Sequence, residues 1–76
     1  ITMIERIKEI ICDYTGKPNI EITEASLIRS DLGLSSYDLV QLVCKIEDEF
    51  DVEVPDKYIN SLKTIGDVIK FIEKNE

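Results

Sequence analysis

Residues 31–50 read Asp31-Leu32-Gly33-Leu34-Ser35-Ser36-Tyr37-Asp38-Leu39-Val40-Gln41-Leu42-Val43-Cys44-Lys45-Ile46-Glu47-Asp48-Glu49-Phe50. At about 100° per residue, Leu39, Leu42, Val43, Ile46 and Phe50 fall within one arc of a helix roughly 100° wide. Ser35 followed three residues later by Asp38 is a capping-box variant, with Asp in place of the usual Glu. The spacing predicts a helix that starts at Ser35 or Ser36 and runs to Phe50, its apolar arc turned to a core. Tyr37 and Cys44 point nearly the opposite way, with Val40 on the flank and Gln41, Glu47 and Asp48 around them. An apolar stripe rimmed by acid is thereby left on the wet side. Scattered apolar residues are common on surfaces, but apolar contacts at the centre with charge at the rim is also how a helix docks partners.

Outward from this helix, three further segments have helical spacing. Ile4, Ile7, Ile11 and Tyr14, with Ile10 beside them, predict an amphipathic helix from about Met3 to Tyr14, ended by Gly16 and Pro18. A short helix is expected after Pro55, around Asp56 to Asn60. The last helix should run from about Ile65 to Lys74, with Thr64 as its cap, Asp67 in its first turn and Ile65, Val68, Ile69 and Ile72 inward. Residues 15–35 form a long connection, which Ile20, Ile22, Leu27, Ile28, Leu32 and Leu34 could anchor to the core; connections of this length in small domains are often functional. The fold class is all-α: a small four-helix bundle of three longer helices and one short one, with a long loop between the first and second. Seventy-six residues allow one domain, spanning residues 1–76.

Composition excludes several chemistries. The chain has no histidine, so no Ser-His or Cys-His nucleophile pair can be built. Only carboxylates remain as general bases, which argues against an enzyme. Cys12 and Cys44 lack the partners of a zinc site and are too few for a disulfide scaffold; free thiols in a reducing compartment fit better. No apolar run approaches the ~20 residues of a membrane span, and the N-terminal segment does not read as a signal peptide. A soluble, cytoplasmic protein is expected. It should be monomeric, because no second large apolar surface is evident.

The net charge of −7 is concentrated. From Asp31 to Asp56 there are eight carboxylates against one base, Lys45; outside that segment acids and bases balance. Such a field repels nucleic acid and anionic lipid and attracts basic protein surfaces. Glu47 to Asp56 lacks the glycine and ligand spacing of an EF-hand loop, so calcium is not the explanation.

Asp31 to Val40, then Ile46-Glu47-Asp48-Glu49-Phe50 and Val54-Pro55-Asp56, together resemble an acyl carrier protein. In that family an Asp-Ser-Leu motif preceded by a Leu-Gly turn opens the second helix, and an acidic-plus-Phe helix end and an apolar-Pro-Asp turn follow. The resemblance covers the whole chain. It implies that Ser36 receives 4′-phosphopantetheine from coenzyme A through a separate phosphopantetheinyl transferase, normally with magnesium. The arm's thiol would hold acyl cargo as a thioester for enzymes of fatty acid, polyketide or related synthesis. It also implies a partner-binding face of Tyr37, Asp38, Val40, Gln41, Cys44, Glu47 and Asp48, met by basic patches on acyl-loading and acyl-processing enzymes. A first turn that presents unpaired N–H groups suits the negative charge of a phosphodiester at Ser36.

There are departures from the family pattern. The usual Asp before the serine is Ser35 here, although the Leu-Gly-x-x-Ser spacing favours Ser36 as acceptor. Gln41 stands where an acid is common, Lys45 adds positive charge, and Leu39 is bulky where many members have a smaller residue lining the cargo cavity. These departures point to a specialised carrier. Two alternatives remain: a peptidyl or aminoacyl carrier, whose second helix is usually less acidic, and an unmodified helical scaffold that keeps the fold without the arm.

Overall fold

The computed structural model describes residues 1–18 and 21–76; the expected anchor Ile20 lies outside them. Among the described residues there are four helices: α1 (Met3–Thr15), α2 (Ser36–Phe50), α3 (Asp56–Ile59) and α4 (Ile65–Asn75). No strand is present among them, only an isolated antiparallel bridge between Leu27 and Thr64. The expected bounds hold to within a residue at each end.

The starts of the three longer helices share one device. Thr2 and Glu5, Ser35 and Asp38, and Thr64 and Asp67 each form a reciprocal capping box, satisfying N–H groups that a first turn cannot bond internally. The box at Thr2 is a plain Thr-x-x-Glu that the reading of α1 as starting near Met3 passed over. α1 ends at Gly16, whose left-handed φ of 73° lets its N–H reach the Cys12 carbonyl at 2.8 Å. α2 ends at Asp51 with φ 54°, a conformation in which aspartate is one of the few tolerated non-glycine residues.

The core draws on every segment except α3. Ile7 and Ile11 come from α1, Leu39, Leu42, Val43 and Ile46 from α2, and Ile65, Val68, Ile69 and Ile72 from α4. The connection supplies Ile22, Ile28 and Leu34, and the segments around α3 supply Val52, Val54 and Leu62. Tyr14 and Phe50, expected in the core stripes, are half-buried at its edge. Leu27 departs from expectation altogether: it is 44% exposed. Its backbone is held by the bridge to Thr64 while its neighbour Ile28, at 2% exposure, takes the inward place.

The long connection is ordered by what it bonds to. Gly66 N–H donates to the Glu24 carbonyl at 2.8 Å, Ile65 N–H to Ser26 at 3.1 Å, and Ile28 N–H to Lys63 at 2.9 Å. The first two N–H groups of α4, orphans by helix geometry, are thus satisfied by loop carbonyls. Gly66 permits the approach: a Cβ there would lie 3.1 Å from the Glu24 oxygen. Leu34 N–H then returns to the Ile28 carbonyl at 3.2 Å, which closes the turn that leads into Ser35.

If the connection is as much core as the helices, trimming it should cost as much. Ile28→Val and Ile72→Val should each lower stability by about 1 kcal/mol. Urea unfolding of both variants checks this, and an unaffected Ile28→Val would mean that the loop packs only loosely.

Candidate functional site

The start of α2 gathers the features that the sequence singles out. Ser35 is the cap: its Oγ accepts from Asp38 N–H at 3.1 Å, and Asp38 Oδ2 accepts from Ser35 N–H at 2.8 Å and from Ser35 Oγ at 3.0 Å. With the cap filled by Ser35, Ser36 is the first residue of the helix and its side chain is exposed. Its hydroxyl is engaged from the connection: Arg29 Nη1 donates to Ser36 Oγ at 2.7 Å. Burial of Ile28 turns the next side chain outward, and the turn closed by Leu34 brings it over the helix start.

Asp38 is half-buried rather than on the open face. Its Oδ1 accepts from Tyr14 Oη at 2.7 Å, so both carboxylate oxygens are engaged and the end of α1 is tied to the start of α2. The Tyr14 hydrogen bond, then those from the Ser35 backbone and side chain, hold the Asp38 carboxyl below its ordinary range. The same bond pushes the Tyr14 hydroxyl up to about 12.

Glu47 is also half-buried. Its Oε2 accepts from the buried Val54 backbone N–H at 2.8 Å, clamping the end of α2 to the segment that leads into α3. Glu49, next but one along, pairs with Arg6 of α1. Asp48 is exposed and, among the described residues, makes no ion pair. Tyr37 (69% exposed), Val40 (41%) and the free thiol of Cys44 lie on the open side of α2, with Gln41 half-buried beside them. The structure thus brings together Tyr37, Val40, Gln41, Cys44 and Asp48, and gives Asp38 and Glu47 bonds within the fold.

Sequence reasoning missed Arg29 and the Tyr14 hydroxyl. Arg29 did carry a signal: it is the only basic residue between Lys17 and Lys45. Tyr14 read as a core residue because its ring fits the stripe, and only the fold puts its polar end beside Asp38.

Beneath the site is a small apolar void of about 10 Å³, lined by Ile7, Ile11, Ile28, Leu34, Leu39, Leu42, Val43, Ile46, Ile65 and Val68. Leu39 lines it, as expected. Its size leaves no room for an acyl chain unless the helices move apart.

A capped helix start with an exposed serine, on a four-helix frame with a long first connection, defines a carrier domain. A family model described as phosphopantetheine attachment site matches residues 5–72. The chain is 44% identical over 70 residues to the acyl carrier protein of Sinorhizobium fredii and, to the same extent, to acyl carrier protein AcpP of Rhizobium meliloti, covering 92% of this chain and 90% of each relative. It also matches the crystal structure of an acyl carrier protein from Thermotoga maritima with a TM-score of 0.86 and 29% identity, over 96% of this chain and 85% of that one. The chain belongs to the phosphopantetheine-bearing acyl carrier family. Proteins of this family work with partner enzymes. No helix among the described residues is long and apolar enough to cross a membrane.

The residues present fit that group. An arm on Ser36 would take an exposed hydroxyl at the start of α2 as its ester oxygen, with the Arg29 guanidinium beside it. Bound there, the arm would supply a terminal thiol for thioester chemistry.

Two outcomes test this geometry. Asp38, with its folded pKa below the unfolded value, contributes stability that is present above ordinary carboxylate pH and lost as pH falls through the folded value. Tyr14, raised to about 12, contributes below its ordinary value of 10.0 and loses that contribution as pH rises through about 12. Tyr14→Phe should therefore raise the Asp38 pKa, read by carboxyl NMR titration, and move acid unfolding to higher pH. Separately, Glu47→Ala should cost about 1 kcal/mol or more by leaving the Val54 N–H unpaired, while Asp48→Ala changes stability little. Equal effects of the two substitutions in urea unfolding would contradict the clamp.

Proposed function

We propose that Ser36 Oγ is the attachment point of the phosphopantetheine arm, and that the protein carries acyl intermediates as thioesters on it. The observation that carries this reading is the division of labour between neighbouring serines: Ser35 caps the helix and Ser36 presents its hydroxyl at the surface. In the transfer, Ser36 Oγ attacks the pantetheine-side phosphorus of coenzyme A. The new Oγ–P bond forms as the P–O bond to adenosine 3′,5′-bisphosphate breaks, and the hydroxyl proton passes to a base on the transferase or to solvent.

Tyr37, Val40 and Cys44 form the apolar centre of the docking face, Gln41 its polar margin, and Asp48 its available acid. Asp38 and Glu47 add to the field there while they hold the helix ends. Acyl-loading and acyl-processing enzymes with basic patches are the partners that this face suits. The protein does no chemistry of its own: without histidine, the reacting group is the arm's thiol. Residues 1–76 act as one carrier unit, monomeric and in the cytoplasm, in fatty acid or related acyl synthesis. The relatives' general name, acyl carrier protein, favours an acyl over an aminoacyl cargo, and a general over a specialised carrier.

The test is the intact mass after incubation with coenzyme A, magnesium and a broad-specificity phosphopantetheinyl transferase. The parent should gain one phosphopantetheine and Ser36→Ala none, with unchanged helical circular dichroism. Modification of Ser36→Ala would move the site to Ser35 or elsewhere. No gain in the parent, with a known carrier loaded in parallel, would favour an unmodified scaffold.

A further inference from the structure

Arg29 is the basic residue that faces the proposed attachment point, and its bonding is unusual for so acidic a chain. The protein has sixteen carboxylates against nine bases. Among the described residues Arg29 forms no ion pair with any of them. It donates instead to a neutral hydroxyl, Ser36 Oγ, at 2.7 Å. Carboxylates close in sequence are engaged elsewhere: Asp31 Oδ2 accepts from Leu27 N–H at 2.8 Å, and both oxygens of Asp38 are bonded within the fold.

An exposed guanidinium gains little from a hydroxyl acceptor and more from an anion that it can grip with two parallel N–H groups. When Ser36 Oγ is esterified, it loses its proton and becomes a weaker acceptor. The non-bridging oxygens, which carry the phosphodiester's negative charge, lie just beyond it on phosphorus. Arg29 already points at that place, which lies at the N-terminal end of α2, where the helix dipole favours negative charge.

We propose that Arg29 is a phosphodiester clamp: in the loaded protein its guanidinium leaves Ser36 Oγ and pairs with the phosphate of the arm. This rests on Ser36 being the attachment point. The arm's base is then held between the connection and α2, and the phosphate's charge is neutralised locally instead of adding to the acidic field. Arg29 is a positioning residue that acts on the arm and takes no part in thioester chemistry.

The test compares apo and loaded full-length protein by NMR. In the parent, the Arg29 guanidinium resonance should shift on loading. The phosphorus resonance of the loaded parent should differ in shift and be broader than that of loaded Arg29→Gln, whose arm base moves freely. Arg29→Lys should recover part of the difference, and high salt should bring the parent toward Arg29→Gln, since exposed ion pairs are screened. An unchanged Arg29 resonance on loading, or the same phosphorus signal in the parent and Arg29→Gln, overturns the clamp. Should Arg29→Gln resist loading, the apo-to-loaded comparison of Arg29 in the parent decides alone. A parent that gains no phosphopantetheine mass overturns the attachment reading itself, a result distinct from a loaded protein whose arginine does not respond.

Discussion

The backbone hydrogen bonds between the connection and the start of α4 are the constraint on which the rest depends. A helix start leaves N–H groups that must find acceptors. Here Ile65 and Gly66 find theirs in the carbonyls of Ser26 and Glu24, while Ile28 N–H returns to Lys63. The exchange satisfies both partners and gives residues 24–28 of the connection a fixed path. With that path set, Ile28 enters the core and Arg29 is turned out over the start of α2. The loop is thus ordered by the helix it covers, which is how a long connection in a small domain can carry a precise contact.

Acidic side chains in and around α2 divide into two kinds of work. Asp38 and Glu47 accept hydrogen bonds that fasten α1 and the α3 approach to the two ends of the helix. Asp48 is exposed and makes no ion pair among the described residues. All three are acidic side chains of the same helix. One set of residues can therefore stabilise the fold and colour its surface field at once, without a conflict between stability and recognition.

The helices were legible because their signals are local. Apolar spacing gave the buried faces of α1, α2 and α4, and Ser35 with Asp38 and Thr64 with Asp67 gave two of the starts to within a residue. The acyl-carrier resemblance came from a ten-residue stretch and a helix end at the right separation. What stayed hidden was tertiary. A helical wheel places Glu47 near the stripe but cannot reveal that its carboxylate meets the Val54 N–H. Tyr14 satisfies the apolar pattern with its ring and leaves no trace of the use of its hydroxyl. Leu27 and Ile28 are equivalent as letters, and only the pairing with α4 decides which is inside. Arg29 and Ser36 meet across a turn whose geometry depends on that same pairing.

The stitch between the connection and α4 also has a bearing on the order in which the molecule assembles. Leu27 and Thr64 are far apart along the chain, so the contact carries a loop-closure entropy that helix-internal bonds do not. Until residues 63–66 are synthesised and in place, the carbonyls of Glu24 and Ser26 have only water to bond. α1 and α2 carry their own caps, whereas the Ile28 N–H beside Arg29 lacks its Lys63 acceptor before that moment. A growing chain therefore completes its surface serine's surroundings only after residues 63–66 have been made.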